Sequence, residues 1–326
     1  MRGEFELIDR YFAPLARAAA GADGLRNDAA LFDPAPGHSL VVTVDAMVEG
    51  VHFLPDDPAA LVGRKLLRVN LSDLAAMGAR PRGYLLAAAW SGRIDEDWIA
   101  AFADGLAVDQ DLFDVALYGG DTVSTPGPLT LSLTAFGEVA RGAALTRAGA
   151  RAGDLIYVSG TIGDGALGLR SLSGELPGLA AADAEALAAR YRLPEPRVAL
   201  GRALAEGGIA SAAMDISDGL VADLGHIAKS SGLGATLRAA DVPLGAAAAR
   251  ALTGDANLGT AILTGGDDYE LLFTVDPGRA GEVAALAGSL DLALTSIGAM
   301  EAGANVRVLD AAGAPLDVPR GGWRHF

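Results

Sequence analysis

The stretch Ser39-Leu-Val-Val-Thr-Val-Asp45, followed by Asp57-Pro58 and the apolar positions Leu61, Val62, Leu66, Val69 and Leu74, decides the fold class. A β-branched run reads as a buried strand, here one that ends on a carboxylate. Asp before Pro reads as an N-cap with proline at the first helical position, where its missing N–H costs nothing. The apolar spacing then carries a helix towards Gly78 and Pro81. The same alternation recurs outward from this point. Residues 84–90 read as a strand and 95–109 as a helix with acids in its first turn, where the helix dipole favours them. Residues 115–118 form a short strand running into Gly119-Gly120-Asp121, and 129–139 form another. A Gly- and Arg-rich segment, 147–153, precedes the second half. There, strands are expected at 155–159, 269–275, 294–297 and 306–309, and helices at 164–172, 181–191, 196–206 and 219–230. Strands and helices alternate in both halves, which gives an α/β or α+β protein. With 326 residues the chain has room for two domains, placed at 1–146 and 147–326.

Composition narrows the function. The chain is 51% hydrophobic and 20% charged, so it can bury a substantial core. Its formal net charge of −16 argues against nucleic acid, whose phosphates select basic surfaces. It has no cysteine, which excludes disulfides, thiolate zinc sites, iron–sulfur clusters and a cysteine nucleophile. Acids stand at the N-terminus where a signal peptide would be apolar, and the Ala-rich stretches are broken by Asp, Arg or Gly before membrane-spanning length. The expectation is a cytoplasmic protein with no membrane partner.

Six carboxylate clusters stand beside Gly, Ser, Thr or Asn at expected element ends. They are Asn27-Asp28, Thr43-Val44-Asp45, Asn70-Leu71-Ser72-Asp73, Gly119-Gly120-Asp121, Asp215-Ile216-Ser217-Asp218-Gly219 and Gly265-Gly266-Asp267-Asp268. Any one alone reads as a cap or turn residue. Six together suit Mg²⁺, which takes oxygen ligands, one or two carboxylates per ion, and bridges substrate phosphates. At 215–219, Ser217 or Asp218 caps the helix that follows, or the helix start offers free N–H groups to phosphate; the two readings are compatible. Asn70 and Asp73 share a helix face that is either solvated or lines a site. No Gly-x-x-x-x-Gly-Lys-Ser/Thr loop is present, and Gly160-Thr-Ile-Gly163-Asp-Gly165 reads as a strand-to-helix turn. By pattern alone His52 reads as structural and Trp323 as core.

Taken together, Gly3-Glu-Phe-Glu-Leu-Ile, Glu49-Gly-Val-His-Phe53, Val69-Asn-Leu-Ser-Asp-Leu-Ala-Ala-Met-Gly78, Tyr118-Gly-Gly-Asp121, Ala144-Leu-Thr-Arg-Ala-Gly-Ala-Arg-Ala-Gly-Asp154, Met214-Asp-Ile-Ser-Asp-Gly-Leu220, Gly265-Gly-Asp-Asp-Tyr-Glu270 and Gly322-Trp-Arg-His-Phe326 resemble the thiamine-monophosphate kinase family from end to end. The resemblance implies the two-domain fold of the aminoimidazole-ribonucleotide-synthetase superfamily. Its N-terminal domain binds ATP and Mg²⁺ and pairs its sheet in a homodimer, and its α/β C-terminal domain completes the active site. The implied reaction is direct in-line transfer from ATP to thiamine monophosphate, giving thiamine diphosphate, with no catalytic side chain beyond metal and charge. Carried over by motif, Asp28, Thr43, Val44 (through its carbonyl), Asp45, Asp73, Asp121, Asp215 and Asp218 are implied Mg²⁺ ligands. Gly120, Asp121, Arg147 and Ser217 are implied nucleotide contacts, and His52, Asp267 and Trp323 implied substrate contacts. Two segments depart from the family pattern: Arg26-Asn27 replaces a Gly and an Asp, and Asp267 replaces a Glu. A sister enzyme of the superfamily and a nucleotide sensor without turnover are the competing readings.

Overall fold

The computed structural model describes residues 3–318. The chain divides into two compact units. One runs to Gly142 apart from Ala75–Gly78, which belong with the second unit from Ala143 onward.

The first unit contains a one-turn helix α1 (Glu4–Leu7), then β1 (His38–Val48), α2 (Ala59–Ala76), β2 (Arg80–Ser91), α3 (Glu96–Phe113), β3 (Ala116–Thr125) and β4 (Thr130–Ala140). The strands form one sheet in the order β1-β4-β2-β3. β4 lies antiparallel between β1 and β2, and β3 runs parallel to β2 after the α3 crossover. The two long helices supply Leu66, Leu67, Leu74, Ile99, Phe102 and Leu106, and the sheet supplies Leu131, Leu133 and Ala135; all are fully buried. Asp95 starts α3 by accepting the Trp98 N–H at 2.8 Å. Fully buried Asp109 pins α3 to α2 by accepting from Arg68 Nε at 2.7 Å and Arg64 Nε at 3.0 Å.

Two expectations are corrected here. β1 is not a buried strand: it is the sheet edge, and Leu40, Val42 and Val44 are 46%, 57% and 60% exposed. A β-branched run fits a pleated surface whether one or both faces are covered. In addition, Gly119-Gly120-Asp121 lies inside β3 and not beyond it. Gly120 tolerates no side chain there, because a Cβ would lie 1.9 Å from the Leu86 carbonyl oxygen.

The second unit contains β5 (Leu155–Ser159), α4 (Asp164–Leu172), α5 (Ala181–Arg192), α6 (Val198–Glu206), β6 (Ala212–Asp215), α7 (Leu220–Ser231), β7 (Gly234–Arg238), α8 (Ala246–Gly254), α9 (Leu258–Thr264), β8 (Leu271–Val275), α10 (Ala280–Leu290), β9 (Leu294–Glu301), β10 (Val306–Leu309) and β11 (Pro315–Leu316). Its mixed sheet has the order β11-β10-β7-β9-β5-β8-β6. Period-two alternation sends Ile156, Val158, Met214 and Leu272 to one face, against Leu224 and Ile227 of α7. Tyr157, Ala213, Leu271 and Phe273 go to the other, against Leu200 and Leu204 of α6 and Val283 of α10. The sheet is therefore covered on both sides, and β6 delivers Asp215 at its end.

Candidate active site

In the first unit, alternation along β1 turns Thr43 and Asp45 towards α2 and Val44 towards the uncovered face. Thr43 Oγ1 donates to Asp73 Oδ2 at 2.5 Å. One helical turn earlier, Asn70 Oδ1 accepts the Asp45 N–H at 3.1 Å while its Nδ2 donates to the Leu66 carbonyl at 2.9 Å. Asn70 is fully buried and satisfied as a clasp between helix and strand. The Asn70–Asp73 face is thus not a solvated one: it brings Asp73, Thr43 and Asp45 to one strand–helix seam. Val44, 60% exposed, offers only a carbonyl oxygen. Beyond β1, His52 Nδ1 accepts the Val48 N–H at 3.0 Å, which places the ring proton on Nε2.

On β3, Gly120 and Asp121 line a cavity of about 650 Å³ shared with Asn27 and Asp28 and walled by apolar side chains such as Phe12 and Leu25. The segment that brings Asp28 there turns through three consecutive left-handed residues, Asp23, Gly24 and Leu25, with φ of 44°, 64° and 62°. Arg26 and Asn27 share one partner in this turn. Arg26 Nη2 and Asn27 Nδ2 each donate to an Asp23 carboxylate oxygen at 3.2 Å. Both bonds are exposed, so they hold these side chains weakly.

In the second unit, Asp215 is 3% exposed at the end of β6. The turn after it is corrected against expectation. Neither Ser217 nor Asp218 caps α7: its N-cap is Gly219, with no side-chain cap bond. Nor are the N–H groups free for phosphate, because Ser217, Asp218 and Gly219 all donate to Asp223 Oδ2 at 3.1 Å. Burial, and then the nearby charge of Asp218, push the Asp223 carboxyl up to about 7, against the pull of those three N–H groups.

The loop that carries Asp267 is stitched to this turn. Ile216 N–H donates to the Glu270 carbonyl at 2.8 Å, Tyr269 N–H to the Ile216 carbonyl at 2.8 Å and Asp267 N–H to the Ser217 carbonyl at 3.0 Å. Asp267 and Tyr269 are held at φ of 69° and 52°, a conformation non-glycine residues adopt only when the surroundings impose it. Two buried acids impose it. Asp268 accepts from the Gly163 and Gly165 N–H groups at 2.8 and 3.1 Å, and burial pushes its carboxyl up to about 8. Glu270, fully buried, accepts from Arg197 Nε at 2.6 Å, Arg190 Nη2 at 3.0 Å and Ser159 Oγ at 2.6 Å. The 160–165 segment is, as expected, a strand-to-helix turn, and Asp268 occupies its N–H groups.

The donors therefore collect in three places: the Thr43–Asp45–Asp73 seam, the Asp28–Gly120–Asp121 cavity, and the Asp215–Asp218 turn with Asp267 beside it. Arg147 is exposed at the start of the second unit, and Trp323 lies outside the described residues. Among the described residues, no group of three or more His, Asp or Glu side chains forms a ready-made metal cage. The donor chemistry still fits Mg²⁺, which is held by one or two carboxylates and completes its shell with water and substrate phosphate. Sequence reasoning read Asp268 only as a member of a carboxylate cluster and missed Asp223 and the Glu270–Arg190–Arg197 cluster. Only Asp223, four residues after Gly219, carried a local signal.

The chain resembles known proteins along nearly its whole length. Residues 26–139 match the AIR synthase related protein N-terminal domain and 151–311 its C-terminal domain. A thiamine-monophosphate kinase of Caulobacter vibrioides is 43% identical, covering 99% of this chain and 90% of its own. The crystal structure of thiamine-monophosphate kinase from Stenotrophomonas maltophilia is 45% identical with a TM-score of 0.84, over 96% of this chain and 98% of that one. AaThiL complexed with AMPPCP and TMP is 31% identical with a TM-score of 0.78, over 100% and 99%. With both domains matched in order and relatives aligned over almost the full length, the chain belongs to the thiamine-monophosphate kinases among the AIR synthase related proteins.

Proposed function

We propose that this chain transfers the γ-phosphate of ATP to thiamine monophosphate, giving thiamine diphosphate and ADP. The observation that carries the reading is the set of oxygen donors on rigid element ends, in a chain aligned end to end with thiamine-monophosphate kinases. The acceptor is itself a phosphate, ionised at neutral pH, so no general base is needed and positioning with charge neutralisation does the work. Mg²⁺, were it bound, would supply that neutralisation.

The residues divide the task. Thr43, Asp45 and Asp73, with the Val44 carbonyl, Asp28 and Asp121, and Asp215 and Asp218 would hold Mg²⁺. Gly120 gives close backbone approach for the nucleotide, since nothing larger fits beside Leu86. Ser217 and Arg147 contact phosphate, and the Arg147 guanidinium suits bidentate phosphate binding. His52, Asp267 and Trp323 hold thiamine monophosphate, with Trp323 stacking on its rings. The domains proposed at 1–146 and 147–326 correspond to the two compact units, whose boundary falls between Gly142 and Ala143. The reading places the enzyme in the cytoplasm beside its co-substrate, with no nucleic-acid or membrane partner.

The working form is a homodimer. Leu40, Val42 and Val44 of β1, Leu85 of β2 and Val123 of β3 lie on one sheet face and are all at least 41% exposed. An exposed apolar row of this kind marks an interaction surface, and a second copy of the same sheet is its partner. The test of the proposal is turnover with and without chelator. Thiamine diphosphate should form with Mg²⁺ and cease in excess EDTA; undiminished formation in EDTA would remove the metal from the account.

A further inference from the structure

Three backbone N–H groups that converge on one point make an anion-binding nest, the device by which many loops hold a phosphate oxygen. Ser217, Asp218 and Gly219 make such a nest, and Asp223 Oδ2 fills it at 3.1 Å from each. Asp223 is 1% exposed. A buried carboxylate beside Asp218 is a costly way to satisfy turn N–H groups that a neutral side chain could also satisfy.

The same turn is held from its other side. Asp267 N–H donates to the Ser217 carbonyl at 3.0 Å. A Cβ on Gly266 would lie 2.1 Å from that carbonyl oxygen, and one on Gly219 would lie 2.5 Å from the Thr264 carbonyl oxygen. Asp223 thus grips the N–H side of a turn whose carbonyl side is already fixed by the 264–267 segment.

We infer that Asp223 is a positioning residue for phosphoryl transfer: by filling the nest it bars phosphate from the turn's backbone and fixes Asp215 and Asp218 to address phosphate through a divalent cation. The inference rests on the kinase reading for its reaction but not for its binding behaviour. A plain structural role competes with it, since an acid in the first turn of α7 also favours the helix dipole. Only the positioning role predicts a change in which anion the turn can hold.

The test uses Asp223→Ala, which empties the nest, and Asp223→Asn, which keeps one acceptor oxygen. Calorimetry measures binding of inorganic phosphate in EDTA and of the ATP analogue AMPPCP across a Mg²⁺ titration, alongside turnover and thermal melts. Asp223→Ala should bind phosphate without metal more tightly than wild type. It should also need at least about tenfold more Mg²⁺ for AMPPCP binding, the scale on which outer-shell partners tune metal sites. Asp223→Asn should stay near wild type in both. Unchanged phosphate and Mg²⁺ behaviour in folded Asp223→Ala would overturn the inference. So would the same losses in Asp223→Asn, or failure of Asp223→Ala to fold, which would make the residue a fold determinant. If wild type makes no thiamine diphosphate yet the binding shifts appear, the kinase reading fails and the positioning role stands.

Discussion

Replacing Asp73 by Asn separates a metal ligand from a strand–helix clasp. The substitution keeps an oxygen that can accept the Thr43 hydroxyl, now 2.5 Å from Asp73 Oδ2, but removes the charge. A hydrogen bond to a charged group is worth about 1.5–3 kcal/mol and a neutral one about 0.5–1.5 kcal/mol, so the clasp loses about 1 kcal/mol. Asp73 also stands three residues before the end of α2, where negative charge opposes the helix dipole. Removing that charge returns about 0.3–1 kcal/mol. The two terms nearly cancel, and Tm should fall by no more than about 2–4 °C. Activity should respond quite differently. Loss of a metal-held charge at a phosphoryl-transfer site removes at least about 1.4 kcal/mol of transition-state stabilisation, a factor of ten in rate. Chromatographic measurement of thiamine diphosphate formation, with thermal melts by circular dichroism on the same protein, reads both. A small Tm change with unchanged turnover would refute the reasoning and leave Asp73 as a clasp only.

Other consequences follow from the sheet face, the 23–28 turn and the buried acids. Val44→Asp places a charge on the exposed apolar row and should shift the protein from dimer to monomer in light scattering; an unchanged mass would remove that face from the interface. Asn27→Asp restores a carboxylate beside the cavity and should lower the Mg²⁺ concentration for half-maximal activity, with Arg26 moderating its repulsion from Asp23. An identical Mg²⁺ dependence would show the turn to be indifferent to that charge. For Asp268 the fold retains the proton that the unfolded chain gives up, because burial raises its carboxyl to about 8. Its contribution is full below the ordinary carboxylate range near about 4 and is lost as pH rises to about 8. The stability advantage of wild type over Asp268→Asn should therefore shrink across that window in denaturant melts. A gap that widens with rising pH would mean that Asp268 is ionised in the fold.

Several elements were legible because their residues leave little choice. Leu155–Ser159, Asp164–Leu172 and Val306–Leu309 were expected at the bounds the structure gives them. Each has a β-branched run or a helical apolar period framed by Gly, Asp or Asn. β6 was missed because Ala-Ala-Met-Asp has no β-branched residue; its strand state comes from pairing with β8. Rich in Ala and Gly, α8 and α10 show little periodic contrast, and β7 opens on Gly-Ala; neighbours decide such segments. The burial of β1 was misread because an edge strand and a central one share the same β-branched run. At the site, the carboxylate clusters were visible as residue types next to small neighbours. The long-range contacts of the buried acids that shape them were not. Asp268 meets Gly163 across 105 residues of sequence, and Glu270 meets Arg197 across 73, distances over which no local pattern reports a contact.

The central claim is that the terminal phosphate of ATP moves to thiamine monophosphate. Incubating the protein with Mg²⁺, thiamine monophosphate and ATP radiolabelled at the γ-phosphate tests it most directly. The account predicts label in thiamine diphosphate, matched mole for mole by ADP and dependent on Mg²⁺. Label appearing only as inorganic phosphate, or remaining in ATP while the protein binds both ligands, would contradict it.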